Sequence, residues 1–386
     1  MKIGLNAISF VPGKMGGTET YFRNLVSSLQ QLDHENRYTV LCDKRFTSEF
    51  QSNNPLFSVD NINYAKPSFK WFARGVVRNL LDLDILKWDM KGIDVDVIHH
   101  PFTVLTPPRL PIPSVLTFWD MQQEFFPEFF STRELLKRKR TFRASAEEAT
   151  RIIVSASYTK QCLVEKYAIE PSKIKVIYTG FGSNYGVISG QEKLTQVREK
   201  YGLDKPFLYY PAASWPHKNH KNLLEALKIL RDEQRFDGQL VLTGVAMKSH
   251  GEINSHVERL GLMDVVKVLG YLDYAELPYL YNIAALMVFP SFFEGFGIPL
   301  VEAMACGCPV VCSDATSLPE IVGAAGLLFD PASPRDIAEK VWKAWSDQGV
   351  RHEMRAAGLE RVALFNWEET AKSTLDVYRE AAGVSL

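Results

Sequence analysis

Along the chain, short apolar runs alternate with longer stretches whose apolar residues recur every three or four positions. "MKIGLNAISF", "YTVLCD", "DVIHH", "PSVLTFWD" and "RIIVSAS" predict strands in the first half. "FLYYPAAS", "QLVLTG", "VKVLGY", "ALMVFPS" and "PVVCSD" predict strands in the second. Helical spacing falls between them, over residues 19–32, 221–231 and 299–306, and again in the terminal "FNWEETAKSTLDVYREAAG". Buried strands alternating with helices belong to parallel sheets covered on both faces. The pattern runs twice, and the glycine-rich and polar stretch 178–206, ending in a short helix, places a boundary near residue 190. The expectation is an α/β chain of two doubly wound, Rossmann-like domains, 1–190 and 191–366, facing across a cleft. Ligands of open α/β sheets bind beyond the carboxyl ends of the strands, so the loops after strands carry the chemistry.

Bulk properties narrow this picture. A length of 386 residues exceeds what one core organises, and 46% apolar with 12% aromatic content is that of a packed globular protein. A net charge of −1 gives no signature of nucleic-acid binding, so any attraction to an anionic surface is local. The five cysteines are an odd number, and Cys306, Cys308 and Cys312 crowd one apolar segment. Reduced thiols of a cytoplasmic protein, packed as small hydrophobes, fit better than disulfides or a metal site. The N-terminus reads as a strand, not a signal peptide, and no run of eighteen or more apolar residues suits a membrane span.

The densest chemistry lies in "SFFEGFGIPLVEAM", residues 291–304. Glu294 falls in a loop, Pro299 suits the first turn of a helix, and Glu302 lies about one turn inside it. Loop amides and the helix start form an anion site, and Gly295 and Gly297 let the backbone approach closely. A glutamate on each side of a phosphate site suits a nucleotide sugar, with sugar hydroxyls on one flank and ribose hydroxyls on the other. The plainer alternative is that the two acids only cap a helix.

"EGFGIPLVEAMACGCPVV" resembles the Glu-x7-Glu motif of retaining glycosyltransferases of family four, which have the GT-B fold. "PGKMGGTETYFRNLVSSL", "SWPHKNHKNLLEAL", "VKVLGYLDYAELPYLYNIAALMVFPS", "SLPEIVGAAGLLFDP" and "FNWEETA" are similar to that family's other landmarks, in order. The resemblance implies that Glu294 holds hydroxyls of the transferred sugar, Glu302 the ribose diol, and Lys218 the departing diphosphate. It implies that amides of Phe296, Gly297 and Ile298 touch phosphate or sugar, and that Gly16 and Gly17 offer an amide from the opposite domain. Gly270 and Tyr271 lie where the family holds the base, and a helix over 367–384 completes the first domain. The Asp-x-Asp spacing of Asp94 and Asp96 enters a strand and is read as structural, so metal-independent transfer without a cofactor is expected. Retention follows from family resemblance, with no nucleophile evident on the sugar's far face.

Three positions depart from the family's pattern. Ala212 stands where an arginine usually precedes the phosphate lysine, leaving Lys218 to act nearly alone. Trp119 stands where many members have a histidine; it can stack on a sugar or pack the cleft wall. Asp120 is then the candidate for the acceptor hydroxyl, its alternative role being to cap the next segment. His99 and His100 end a strand, where one of them, His100 being the candidate, reaches the acceptor or both are structural.

The acceptor is expected on the first domain, as a glycan or lipid-linked glycan of surface polysaccharide synthesis. Residues 70–81 mix Trp71, Phe72, Val76, Val77, Leu80 and Leu81 with Lys70, Arg74 and Arg78, as a surface-lying helix would. Residues 133–143 add Arg133, Lys137, Arg138, Lys139, Arg140 and Arg143. Together they suit peripheral contact with the inner face of the plasma membrane, or one core-packing helix and one solvated face. The "PHKN" form of the lysine segment is similar to that of mannosyl-transferring members, which implies GDP-mannose, with a UDP-sugar as the alternative. A GT-B-like nucleotide-sugar epimerase and a non-catalytic sugar-nucleotide-binding protein are the competing functions.

Overall fold

The computed structural model describes residues 1–62, 74 and 84–384. Two compact units divide the chain: Met1–Gly180 with Trp367–Leu386, and Phe181–Asn366. The expected boundary near residue 190 therefore falls inside the second unit.

The first unit holds strands β1 (Lys2–Ala7), β2 (Arg37–Asp43), β3 (Phe57–Ile62), β4 (Val97–His100), β5 (Ser114–Phe118), β6 (Arg151–Val154) and β7 (Ile174–Val176). They form one sheet in the order β3-β2-β1-β4-β5-β6-β7, every pairing parallel. Helices α1 (Gly17–Leu32), α2 (Leu86–Asp89), α3 (Thr132–Glu148) and α4 (Ser157–Tyr167) connect the strands. The second unit holds β8 (Phe207–Pro211), β9 (Gln239–Thr243), β10 (Val266–Gly270), β11 (Leu286–Phe289), β12 (Val310–Ser313) and β13 (Gly326–Phe329). Their order is β10-β9-β8-β11-β12-β13, again all parallel. Its helices are α5 (Gln191–Tyr201), α6 (His220–Gln234), α7 (His250–Arg259), α8 (Leu277–Ile283), α9 (Ile298–Ala305), α10 (Leu318–Val322), α11 (Pro334–Ser346) and α12 (Gln348–Arg361). Helix α13 (Trp367–Ala382) returns to the first unit.

Both sheets thus start in the middle, run to one edge, then cross to the other side of the first strand. That reversal lies between β1 and β4 in one unit and between β8 and β11 in the other, and it opens a crevice at the carboxyl ends of those strands. Strands near the reversal are buried on both faces: β5, β9 and β11 expose nothing, and their sequences are predominantly apolar. The apolar pattern passes over β3, β7 and β13, and each of these is a sheet edge with a partly exposed face.

In the first unit α1 turns Tyr21, Phe22, Leu25, Val26 and Leu29 inward at helical spacing. These side chains meet Ile3, Leu5, Val97 and Val115 of the sheet and Ala371, Leu375 and Tyr378 of α13 in one cluster. Gly180 is required by this packing, because a Cβ there would lie 2.6 Å from the Trp367 ring. His99 is fully buried and bridges sheet to helix: its Nδ1 lies 2.7 Å from the Tyr378 hydroxyl and its Nε2 2.7 Å from Thr117 Oγ1, which in turn meets the Tyr21 hydroxyl at 3.2 Å. The five cysteines are all buried and free. Asp96 accepts from the Lys2 amide at 2.8 Å and Asp94 pairs with the Lys2 ammonium, so both fasten β1 to the entry of β4.

Candidate functional site

In the second unit, the loops that follow the two strands beside the reversal, β8 and β11, carry Lys218 and Glu294 respectively. After β8 the chain makes a single 3-10 turn, Pro216–Lys218, which Asn219 ends in the left-handed region at φ 57°. Asn219 is buried, and its side-chain amide donates to the carbonyls of Pro290 (2.9 Å) and Pro331 (2.8 Å). The Phe292 amide donates to the His217 carbonyl at 2.8 Å, and the Tyr210 hydroxyl donates to the Lys218 carbonyl at 2.7 Å. The two loops are therefore laced together by backbone carbonyls before any charge is considered.

Across this lacing the Lys218 ammonium lies 2.5 Å from Glu294 Oε1, both side chains at most 16% exposed. The ammonium also sits 5.4 Å from the Phe289 ring centre. Burial by itself would raise the Glu294 carboxyl; the charges of Lys218 and His217, with hydrogen bonds from Lys218 and Ser291, outweigh it and hold the group below the usual glutamate range. The Glu294 amide donates to Thr316 Oγ1 (3.2 Å), and Ser317 Oγ donates to the carbonyls of Glu294 (3.1 Å) and Phe296 (3.0 Å).

Gly297 caps α9 at φ 105°, where a Cβ would stand 2.9 Å from Leu318 Cδ2. Pro299 lies in the helix's first turn, and no side chain caps that turn, which leaves the amide end of α9 beside the Lys218–Glu294 pair. Phe296 is buried with its ring edge-on to Phe365, so only its backbone is available to a ligand. Glu302, in the middle of α9, is 6% exposed and accepts from the Tyr281 hydroxyl at 3.1 Å. Burial pushes its carboxyl up to about 7, against the pull of the Tyr281 and Tyr185 hydroxyls. The two glutamates thus differ in kind: one is ionised against a lysine, the other is surrounded by phenols.

At the ends of β8, β9 and β10 a small pocket is lined by Ala212, Ser214, His220, Thr243, Gly244, Val245 and Gly270. The backbone closes tightly there: a Cβ on Gly244 would lie 2.4 Å from the Ala212 carbonyl oxygen. Tyr271 follows Gly270 (φ 73°) and is 65% exposed. Ser214 stands in for no guanidinium, since its hydroxyl accepts from the Met247 amide at 2.6 Å.

The first unit's residues are placed differently. Gly16 caps α1 at φ 54° with open space beside it, and Gly17 begins that helix, which has no side-chain cap. Trp119 is partly buried: its ring stands edge-on to Tyr21 at 4.7 Å and its indole N–H donates to the Pro101 carbonyl at 2.8 Å. Asp120 accepts from the Gln122 amide at 3.3 Å, two residues on, just ahead of the turn Gln122–Glu124, whose cap residue is Met121. His100 is 3% exposed and held neutral by burial. Its Nδ1 faces Asn6 Nδ2 (3.1 Å) and the Thr106 amide (3.3 Å), so its proton resides on Nε2. Its ring lines a pocket of about 360 Å³ with Leu105, Pro107, Leu110 and Glu148. Of the amphipathic stretch 70–81 only Arg74 is among the described residues, and it is buried against both carboxylate oxygens of Asp84 at 2.6 Å. The second basic stretch lies on α3, where Arg133, Lys137, Lys139 and Arg140 are exposed beside Leu136. Among the described residues no three histidine, cysteine or acidic side chains are grouped as metal ligands would be.

Residues 15–182 match Glycosyltransferase Family 4 and residues 193–361 match Glycosyl transferases group 1. The O-antigen chain mannosyltransferase B of Escherichia coli is 32% identical over 285 residues, 74% of either chain. The chain belongs to glycosyltransferase family 4. The family's members extend beyond single units of this length: the serotype-specific mannosyltransferase WbdA of Escherichia coli is 32% identical over 60% of this chain, which spans only 29% of WbdA. Among solved structures, Anabaena HepE in complex with UDP and glucose superposes with a TM-score of 0.75 at 20% identity, covering 98% of this chain and all of that one, which shows the shared two-domain GT-B fold. In this glycosyltransferase the site includes residues that the motifs do not mark. Asn219, Tyr281, Ser291 and Ser317 lie inside the quoted stretches but carry no role there, Tyr185 and Thr316 lie outside them, and all six shape the two glutamates and the lysine.

Proposed function

We propose that this glycosyltransferase moves mannose from GDP-mannose to a glycan or lipid-linked glycan of a surface polysaccharide, with retention of the anomeric configuration. The observation that carries the reading is the Lys218–Glu294 pair set at the sheet reversal beside the start of α9. When the bond between the sugar's anomeric carbon and the diphosphate oxygen breaks, negative charge grows on that oxygen. Fixed donors aimed there, Lys218 and the first amides of α9, lower the barrier without requiring a metal ion. Glu294 turns from Lys218 to the sugar hydroxyls, and Glu302 receives the ribose diol. Mannose is supported by the two mannosyltransferase relatives. The test is thermal shift against GDP, UDP and ADP with their sugars, with transfer then measured in the presence of EDTA. GDP and GDP-mannose are expected to stabilise the chain most, and transfer to survive chelation. Stabilisation by UDP alone would replace GDP-mannose with a UDP-sugar, and release of a 2-epimer without acceptor would indicate an epimerase.

Peripheral membrane contact belongs to the same reading. No helix among the described residues is long and apolar enough to cross a membrane. The exposed cations of α3, with Leu136 65% exposed among them, suit an anionic headgroup layer. Sedimentation with anionic vesicles is expected to carry the protein down at low salt and to fail when Arg133, Lys137 and Arg140 become glutamate. Equal sedimentation of wild type and variant would remove α3 from the contact.

A further inference from the structure

Tyr185 belongs to the stretch 181–190 that leads into the second unit, a part of the chain with no motif of its own. A tight turn presents it: its amide donates to the Gly182 carbonyl at 3.0 Å, and a Cβ on Gly182 would collide with Asn184 Oδ1 at 2.6 Å. The strap is then pinned to α8 by Asn282, which accepts from the Ile188 amide (2.8 Å) and donates to the Gly186 carbonyl (2.9 Å). Its neighbour on α8, Tyr281, is the residue that bonds Glu302. Tyr185 lies edge-on to Tyr281 at 5.9 Å, and Tyr281 edge-on to Tyr209 at 5.2 Å. The Tyr185 hydroxyl is buried and faces Glu302 without a well-formed hydrogen bond. A buried hydroxyl left in that condition is destabilising, and it sits against a carboxylate that a ligand would engage.

Resting on the donor reading above, we propose that Tyr185 is a positioning residue for the donor: with Tyr281 it aims the Glu302 carboxylate at a vicinal diol, completing its own hydrogen bond when the diol is bound. The chain entering the second unit thereby becomes part of the nucleotide clamp. The groups facing Glu302 are Tyr185 from the strap, Tyr281 from α8, Tyr209 from β8 and Cys306 at the end of α9; none is a cation. Phenol hydroxyls favour the carboxylate over the acid, so removing one raises the pH at which Glu302 ionises.

The experiment compares wild type, Tyr185→Phe and Tyr281→Phe in GDP and UDP binding, and in donor KM and kcat, from pH 5.5 to 8.5. Tyr185→Phe is expected to weaken nucleotide binding about three- to ten-fold at pH 7, with kcat at saturating donor unchanged. Its acidic limb should move to higher pH, and a smaller loss should remain at pH 8.5, where Glu302 is ionised but the bond completed on diol binding is still missing. Tyr281→Phe should move the same limb further. A Tyr185→Phe profile parallel to wild type would overturn the role, as would a limb that neither variant moves. A wild-type chain that binds neither GDP nor UDP would overturn the donor reading itself, and the role of Tyr185 with it.

Discussion

Acidification from pH 7.5 to 5.5 is expected to remove about 2 kcal/mol of folding stability. Three histidines are almost wholly enclosed: His99, His100 and His220 expose 0%, 3% and 5%. Each is pushed down to about 3, by burial first, with the charge of His100 adding at His99 and those of Lys218, His217 and His250 adding at His220. In the unfolded chain a histidine takes its proton near pH 6.5. These groups therefore stabilise the fold fully above about 6.5, and that stability is lost as pH falls from there toward about 3. Glu302 works the other way, because its folded value is raised to about 7. On acidification the folded state protonates it before the unfolded chain does, which returns stability between about 7 and the ordinary glutamate value near 4.3. With three protons taken up by the unfolded chain against one by the folded, the net slope is about two protons, or roughly 2–3 kcal/mol per pH unit below pH 6. Urea midpoints at pH 7.5, 6.5 and 5.5 measure it. Midpoints that coincide, or rise toward acid, would show that the buried histidines are not held neutral. His99→Gln, which can keep one of the two hydrogen bonds, should flatten the slope by about one proton's share.

Glu294→Gln is expected to lower kcat by about 10²–10³-fold while leaving nucleoside diphosphate binding intact or tighter. The reason lies in the 2.5 Å pair: Glu294 competes with the diphosphate for Lys218, so removing its charge releases the lysine to the ligand. Lys218→Ala should do the opposite to binding, weakening the diphosphate by about 2–3 kcal/mol, and should lower kcat as well, because the leaving oxygen loses its cation. Both single variants also leave one partner of a largely enclosed pair unmatched, so the melting temperature should fall in each and recover in the double variant. Isothermal titration with the diphosphate, beside single-turnover transfer, separates the effects. If Glu294→Gln weakened the diphosphate as Lys218→Ala does while transfer survived, the glutamate would be a structural partner of the lysine and nothing more.

The apolar runs marked ten strands, most of them covered on both faces, because local sequence records burial directly; β10, an edge with Val268 43% exposed, was marked by its apolar composition alone. The three they passed over, β3, β7 and β13, are edges, where one side of the strand meets solvent and polar residues such as Asp60, Asn61 and Lys175 are tolerated. Glu294 in a loop and Glu302 on a helix were legible from glycines, Pro299 and their spacing, since capping and turn chemistry are local as well. At Trp119 and Asp120 the outcome was not legible. The ring's neighbour depends on α1, which lies far away in sequence and sets Tyr21 edge-on to Trp119.

What the sequence determined by itself is therefore the architecture of two parallel sheets, the glycine-led, uncapped start of α9, and membership of the family through motifs in their order. Tertiary structure alone decided the partners. Lys218 and Glu294, 76 residues apart, meet because the sheet reverses between β8 and β11. His99 is spent on Tyr378, 279 residues away, because α13 returns to the first sheet. Tyr185 reaches Glu302 because Asn282 pins the strap beside Tyr281. Periodicity encodes how deeply a residue is buried; strand order and chain crossings choose what it is buried against.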